Sequence, residues 1–312
     1  MRYSLLGNTG LSVSKLSFGA SSLGGVFHKI DEKKAIEAVL VALSLGINYI
    51  DVAPAYGGTL AETILGKALK EVPRNTYFIS TKVGKNTNSN AYGSDTFNYS
   101  EEGIHRSLDE SSKRIGVDYF DLVLLHDIEY NNRQHTDWAL NEGIQTLNVL
   151  KSEGRIGATG IGMYPVDLWK EVLESCVIDV ALTHNLYCIH DTRLLSLLPI
   201  AKKRGVGIIN ASPFASGLLT SKGAPSWHPA NTFQRALFAK AAAFCKKNGV
   251  DISTLALQFS AQNPEITTTM FSSANAETIK QNINWFLEPI NFELLQKLQE
   301  ILAPISNQNW NY

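Results

Sequence analysis

The chain is 312 residues long, about twice the common length of one domain yet within the span of a single α/β barrel. Its 28 Lys and Arg against 29 Asp and Glu, with 7 His, leave a formal net charge of -1, which argues against a broad phosphate-binding surface or a polybasic anchor and so against nucleic acid and membrane as main partners. With 44% hydrophobic and 18% charged residues, the composition is globular and excludes disorder as the dominant state.

In chain order, Tyr3–Leu5 and residues 13–15 flank Gly7-Asn8-Thr9-Gly10, a hairpin signal placed to cap the lower mouth of a barrel. Short β-branched or aromatic runs then alternate with longer segments of helical apolar spacing. The strands fall at 16–18, 49–52, 78–82, 120–125, 158–162, 180–183, 206–210 and 267–270, and the helices at 32–45, 60–70, 101–115, 138–153, 167–174, 193–204 and 278–287. Surplus helices are expected at 233–248 and 253–262, between the seventh and eighth strands. Asp31 and Ser100 sit where helix N-caps belong. Eight alternations without a composition break or linker describe one closed (β/α)8 TIM barrel over residues 1–312, with a doubly wound sheet as the alternative that periodicity cannot separate.

The three cysteines, Cys176, Cys188 and Cys245, are odd in number and lack C-x-x-C spacing, so neither a disulfide framework nor a zinc knuckle is supported, and a reducing cytoplasm is expected. No apolar signal-peptide core follows Met1. No His and carboxylate cluster stands at metal-ligand spacing, and no G-x-S-x-G or Cys–His nucleophile pattern is present. Paired-carboxylate chemistry from Asp51, Asp127 and Glu129 stays open but unspecific.

Chemistry in a barrel of this kind sits at the C-terminal strand ends. Asp51 ends the second strand, Tyr56 comes next in the loop Ala53-Pro54-Ala55-Tyr56-Gly57-Gly58, Lys82 ends the third, and His126 lies just past the apolar run Leu122-Val123-Leu124-Leu125. An Asp–Lys pair lets an ammonium sit buried beside a tyrosine hydroxyl, where it favours the phenolate. Lowering a tyrosine from about 10 by two to three units takes roughly 3 to 4 kcal/mol of differential stabilisation. His126 would orient a substrate oxygen while Tyr56 exchanges the proton. Taken singly, each residue also has a structural reading as a cap, a lid or a satisfied polar group; their joint placement on one rim favours function.

The stretch Gly46-Ile47-Asn48-Tyr49-Ile50-Asp51-Val52-Ala53-Pro54-Ala55-Tyr56-Gly57, with Glu62 and Leu65-Gly66 after it, resembles the signature of the aldo-keto reductase family. Ser80-Thr81-Lys82-Val83 and Leu124-Leu125-His126 match the next two blocks, and the likeness runs from Leu6-Gly7-Asn8-Thr9-Gly10-Leu11 to the helix carrying Asn282. The resemblance implies Tyr56 as general acid/base, Lys82 and Asp51 as its tuning pair, His126 as the orienting group, and a nicotinamide cofactor bound extended across the barrel mouth without a G-x-G-x-x-G loop. Phe18-Gly19-Ala20-Ser21, Leu23-Gly24, Val26-Phe27, Tyr56-Gly57-Gly58-Thr59, His126-Asp127-Ile128-Glu129 and Pro225-Ser226-Trp227-His228-Pro229 are similar to the sugar-oxidising branch of that family. This implies an aldose 1-dehydrogenase for sugars of the L-galactose or L-fucose type, with Asp127, Trp227 and His228 as substrate contacts. Alternatives are an NADPH-dependent aldehyde reductase, a pyridoxal dehydrogenase and, from another class, a cofactor-sensing regulatory subunit.

The nucleotide contacts implied by the resemblance are Ser21, Asn185, Ser212, Phe214, Ser272, Ser273, Thr278, Gln281 and Asn282. Ser272 and Thr278 stand where NADPH-dependent relatives carry cations, so NAD is favoured, while Lys280 keeps NADP open. The chain departs from the family pattern at Gly162-Met163, in place of the Ser-Asn that grips the carboxamide, and at Ala211, in place of the ring-stacking Tyr.

Overall fold

The computed structural model describes residues 1–26, 28–87 and 95–308; Phe27, part of the first-loop pattern, lies outside them. Strands β1 (Tyr3–Leu5) and β2 (Ser12–Ser14) pair antiparallel, Tyr3 opposite Ser14. The barrel begins with β3 (Leu16–Gly19), β4 (Tyr49–Asp51) and β5 (Phe78–Val83). Beyond β5 the chain runs into a two-stranded ribbon, β6 (Lys85–Thr87) with β7 (Asp95–Phe97). The barrel is completed by β8 (Leu122–His126), β9 (Thr159–Met163), β10 (Val180–His184), β11 (Gly207–Ala211) and β12 (Thr268–Phe271). Neighbouring barrel strands are parallel, and β12 pairs with β3 through Phe271 and Phe18, which closes the sheet and removes the doubly wound alternative.

Side chains alternate across a strand, so every second residue faces the barrel interior. Tyr49, Leu122, Leu124, Val180, Leu182, Ile209 and Met270 form one inner cluster, and Leu6 and Val13 from the hairpin join it. The hairpin thereby plugs the lower mouth. Gly7 makes this contact possible: at φ 55°, a Cβ there would lie 2.3 Å from the Gly207 nitrogen. The opposite faces of the strands pack on the outer helices in the larger cluster.

Most predicted elements stand near their expected positions, with three differences. The fourth barrel strand begins at Leu122, because Phe120 contributes only an isolated bridge to Ile156. The ribbon β6–β7 is an addition to the predicted elements. So is the helix Phe292–Leu302, which Asn291 caps and in which Leu294, Leu295, Leu298 and Leu302 form a buried stripe packed on helix Thr232–Lys247. Asp31 and Ser100 act as the expected N-caps, accepting from Lys33 and Lys34 and from Gly103 respectively.

Candidate active site

The alternation that fills the barrel also builds its top. Asp51 lies two residues beyond inward-facing Tyr49, Lys82 two beyond Ser80, and His126 two beyond Leu124. The register places Ser80 opposite Asp51 and Lys82 opposite Leu124. All three upper side chains are buried, Asp51 and Lys82 to 1% exposure. A polar chain supports them from below: Tyr49 and Ser80 share a 2.7 Å hydrogen bond, and the Ser80 hydroxyl donates to Asp51 Oδ1 at 2.7 Å.

Lys82 Nζ pairs with Asp51 Oδ2, and donates to the Tyr56 hydroxyl at 2.9 Å and to the Val52 carbonyl at 3.3 Å. Burial works against the Lys82 charge, but Asp51 and Tyr56 outweigh it and hold the ammonium above its ordinary range. Tyr56 behaves differently from the sequence expectation. Burial of its hydroxyl raises it above 10, and the pull of Lys82 only partly offsets this. At neutral pH Tyr56 is therefore a protonated phenol aimed at a buried ammonium, and phenolate forms only as pH rises or as further positive charge arrives.

Tyr56 is positioned by backbone packing. The turn Ala20–Gly24 lies directly against the Tyr56–Gly57 peptide: a Cβ on Gly24 would sit 2.6 Å from the Tyr56 carbonyl carbon, and one on Gly57 2.0 Å from the Gly24 oxygen. Glu62 anchors the next helix, Leu60–Leu69. It is fully buried, accepting from Thr81 at 3.0 Å and from Arg114 Nε at 2.6 Å.

The His126 ring stands edge-on to Tyr56, with centroids 5.7 Å apart. Burial pushes His126 down to about 3, so the ring is neutral and serves as a hydrogen-bonding group rather than a cation. Its carbonyl accepts from Tyr99 at 2.7 Å, while Nδ1 is buried without a partner among the described residues. Beside it Asp127 has φ 52° and 8% exposure, with Oδ2 3.6 Å from His126 Nε2 and 2.8 Å from Lys85 Nζ. Lys85 also reaches Asp95 at 3.1 Å and the Tyr130 ring at 3.9 Å. Glu129 accepts from the Tyr164 N–H at 2.9 Å through Oε1, leaving Oε2 buried and without a partner among the described residues. Burial, then Asp127, raises Glu129 to about 8. Lys85 and its ribbon escape sequence reasoning because three-residue strands are too short for an alternation signal.

The residues expected at the nucleotide lie in the loops after β3, β10, β11 and β12 and on helix Ala276–Leu287. Ser272 accepts from the Ser22 N–H at 2.8 Å, tying the loops after β3 and β12 together next to Ser21. Ser273 accepts from the Asn275 N–H at 3.2 Å, and the Asn275 side chain caps helix Ala276–Leu287 by accepting from Thr278 N–H at 3.0 Å. Gln281 is exposed and Asn282 buried on that helix. Asn185, at φ 57°, donates to Ser216 Oγ at 3.1 Å, and Ser212, at φ 63°, opens the loop containing Phe214. Lys280 is paired with Glu277 at 2.7 Å, both exposed.

Of the three residues expected at the substrate, Asp127 lies beside His126. Trp227 is 39% exposed and packs on the His228 ring. His228 is committed to its own loop: it is 3% exposed, its Nδ1 accepts from the Ala230 N–H at 3.1 Å, and its carbonyl accepts from Arg235 at 2.7 Å. Arg235 also gathers the carbonyls of Ala224, Pro225 and Ala230, so this loop is held from beneath. After β9 the family's carboxamide grip has no side chain here, since Gly162 has none and Met163 is buried with the outer core. Among the described residues, no group of His, Cys, Asp and Glu is arranged to hold a metal ion, and no helix is long and apolar enough to cross a membrane.

A closed (β/α)8 barrel carries at its upper rim a buried Asp–Lys–Tyr chain beside a neutral His, an arrangement chemically suited to moving a proton to or from an oxygen. The chain belongs to the aldo/keto reductase family, whose profile matches residues 15–303. It is 40% identical to L-galactose dehydrogenase of Arabidopsis thaliana over 314 aligned residues, covering 98% of this chain and 95% of that one. It is 28% identical to D-threo-aldose 1-dehydrogenase of Pseudomonas sp, covering 93% and 94%. Among solved structures, an aldo-keto reductase from Bacillus halodurans in its holo form superposes with a TM-score of 0.80 at 28% identity, covering 96% of both chains.

Proposed function

We propose that this protein oxidises the C1 hydroxyl of an aldose to the lactone, with NAD as the preferred cofactor. The observation that carries the reading is the Tyr56 hydroxyl, 2.9 Å from an ammonium that is itself paired with buried Asp51, beside a neutral imidazole. Likeness to two sugar dehydrogenases over nearly the whole chain supports the substrate class.

Tyr56, Lys82, Asp51 and His126 are the proposed catalytic residues. A bound nicotinamide supplies the acceptor for the hydrogen and electron pair that leave C1. His126, uncharged, hydrogen-bonds the C1 oxygen and fixes it against Tyr56. Tyr56 in its phenolate form takes the hydroxyl proton, with Lys82 stabilising the anion and Asp51 keeping Lys82 charged. In the reverse direction the protonated phenol donates, which is its resting state near neutrality. Asp127 and the exposed Trp227 ring are the proposed substrate contacts; His228 we assign to holding its loop.

The residues present fit a nicotinamide dinucleotide. His126, beside Tyr56, keeps a buried Nδ1 without a partner among the described residues, and Ser21, Ser272, Ser273, Thr278 and Gln281 offer hydroxyls and an amide around the start of helix Ala276–Leu287. Asn185, Ser212, Phe214 and Asn282 would complete the set. The preference for NAD over NADP rests on the one cation between Phe271 and Asn282, Lys280, being already neutralised by Glu277. A doubly charged 2'-phosphate would meet an acid and no free cation in that segment.

Incubating the purified protein with L-galactose, L-fucose and D-arabinose and either NAD or NADP, while following absorbance of the reduced nucleotide, tests the reading. It expects oxidation of at least one sugar, faster with NAD. No response to any sugar with either nucleotide from pH 7 to 10 would overturn it, and faster turnover with NADP would overturn the cofactor preference.

A further inference from the structure

Resting on the aldose reading, we propose that Asp127, held in place by Lys85, reads the hydroxyl on the carbon next to the reacting one, so that the site selects sugars with a free C2 hydroxyl. The first support is position. Asp127 Oδ2 lies 3.6 Å from His126 Nε2, and two acceptor and donor groups that close together suit two oxygens carried by neighbouring carbons. With the C1 oxygen on His126 and Tyr56, the C2 oxygen falls towards Asp127.

The second support is what Asp127 offers. Burial works against its charge, but the Lys85 ammonium leads the groups that outweigh burial, and the carboxyl is held well below its ordinary range; an ionised carboxylate accepts hydrogen bonds but donates none. Its Oδ1 accepts no hydrogen bond from any described residue. A sugar hydroxyl is the donor that would satisfy it. The backbone at Asp127 takes φ 52°, and its N–H donates to the Gly162 carbonyl at 2.8 Å. A residue kept in this unfavourable conformation by a cross-strand hydrogen bond is held for its side-chain direction.

The third support is how Lys85 is used. Its ammonium faces Asp127 at 2.8 Å, Asp95 at 3.1 Å and the Tyr130 ring at 3.9 Å, so it is consumed by protein partners and touches no reacting atom. Lys85 is a positioning residue: it keeps the Asp127 carboxylate charged and aimed, and the ribbon β6–β7 carries it there from the end of β5. Two carboxylates around one ammonium leave a net negative charge, which suits neutral polyol donors and repels anionic substrates.

Chemistry alone would give the opposite preference. A C2 hydroxyl withdraws electrons from C1 and opposes loss of hydrogen with its electron pair, so a 2-deoxy sugar is intrinsically the easier one to oxidise. A preference for the C2 hydroxyl must therefore come from the site.

The test compares kcat/KM for L-galactose and 2-deoxy-L-galactose, with NAD, in the full-length protein and in Asp127→Asn, Lys85→Met and Lys85→Arg. The wild type is expected to favour L-galactose by about 10- to 100-fold, the span of one hydrogen bond to a charged acceptor. In Asp127→Asn and Lys85→Met this ratio falls towards one, and Lys85→Arg recovers most of it. A general loss of structure would lower both sugars together and leave the ratio unmoved, and nucleotide binding by fluorescence reports folding separately. A wild-type ratio near one overturns the inference whatever the variants do, as does a ratio unchanged in both variants. Sugar oxidation without C2 discrimination would sink this inference and leave the aldose reading standing, whereas no oxidation of either sugar would sink both.

Discussion

The two mouths of the barrel are built by opposite means. The lower mouth is closed by the hairpin, whose Leu6 and Val13 are fully buried in the inner cluster, with glycines at the tight approaches. The upper mouth is charged and conformationally costly. Among the described residues, every non-glycine position with a left-handed φ except Asn307 lies in a loop that follows a barrel strand: Thr59 after β4, Asp127, Asn131, Asn132 and Arg133 after β8, Asn185 after β10, and Ser212, Ala215 and Ser216 after β11. Strain of this kind is tolerated where the surrounding structure over-determines it. The stable end thus supports an end whose geometry serves chemistry, and substitutions at the two ends should separate into effects on stability and effects on rate.

The largest expected effect is at the upper mouth. Lys82→Met removes the ammonium facing Tyr56 and leaves Asp51 unpaired, and sugar oxidation should fall about 10³-fold, within the span of one proton-transfer partner. Steady-state kinetics check this, and a loss under tenfold would break the assignment of Lys82 to proton transfer. At the lower mouth, Leu6→Ala should cost about 3 kcal/mol of stability through the cavity it leaves. Urea unfolding measures that, with kcat expected to hold within a factor of two; a large fall in kcat at unchanged stability would erase the distinction between the mouths.

Gly24→Ala sharpens the comparison, because its methyl would press on the Tyr56 backbone. Displacing Tyr56 by about 1 Å should lower kcat by about 100-fold, a larger loss than that of any equally conservative change in the hairpin. The remaining effect is one of pH and acts on stability rather than on rate. Glu129, raised to about 8 in the folded protein, binds its proton more tightly there than in the unfolded chain, whose ordinary value is near 4.5. The unfolded state therefore holds fewer protons between these values, and stability falls as pH rises from about 4.5 to 8. Glu129→Gln should abolish that decline, so its Tm exceeds the wild type at pH 9 and meets it at pH 5. Parallel Tm curves would refute the buried, protonated acid.

The same contrast explains what is legible in the sequence. Strand alternation and turn glycines are local signals, and they locate the hairpin, the eight strands and the strand-end residues Asp51, Lys82 and His126. Tyr56 is legible from its loop, but its raised proton affinity is not, because desolvation depends on how many distant segments close over the hydroxyl. His228 reads as a substrate contact in the sequence, and in the fold its ring Nδ1 accepts from the Ala230 N–H while Arg235 holds its carbonyl, contacts within a long loop that spacing does not reveal. Lys85 does not stand out as a residue of this site, since it meets Asp127 only after the ribbon has folded over the rim, and Glu129, legible beside Asp127, shows nothing in the sequence of its raised proton affinity. The helix Phe292–Leu302 is different: its cap and its leucine spacing are local signals as plain as those of the predicted helices, so nothing physical hides it.

The central claim is that Tyr56, above the Lys82–Asp51 pair, takes the proton as the sugar is oxidised. A single-turnover measurement with saturating NAD and L-galactose from pH 6 to 10, in the wild type and in Tyr56→Phe, tests it most directly. The account predicts a wild-type rate that climbs with pH as the raised phenol ionises, with no acid limb near pH 6 because His126 is already neutral, and a Tyr56→Phe rate lower by about 10³-fold or more with NAD binding intact. A Tyr56→Phe variant that still oxidises the sugar within tenfold of the wild type, with the same pH profile, would contradict it.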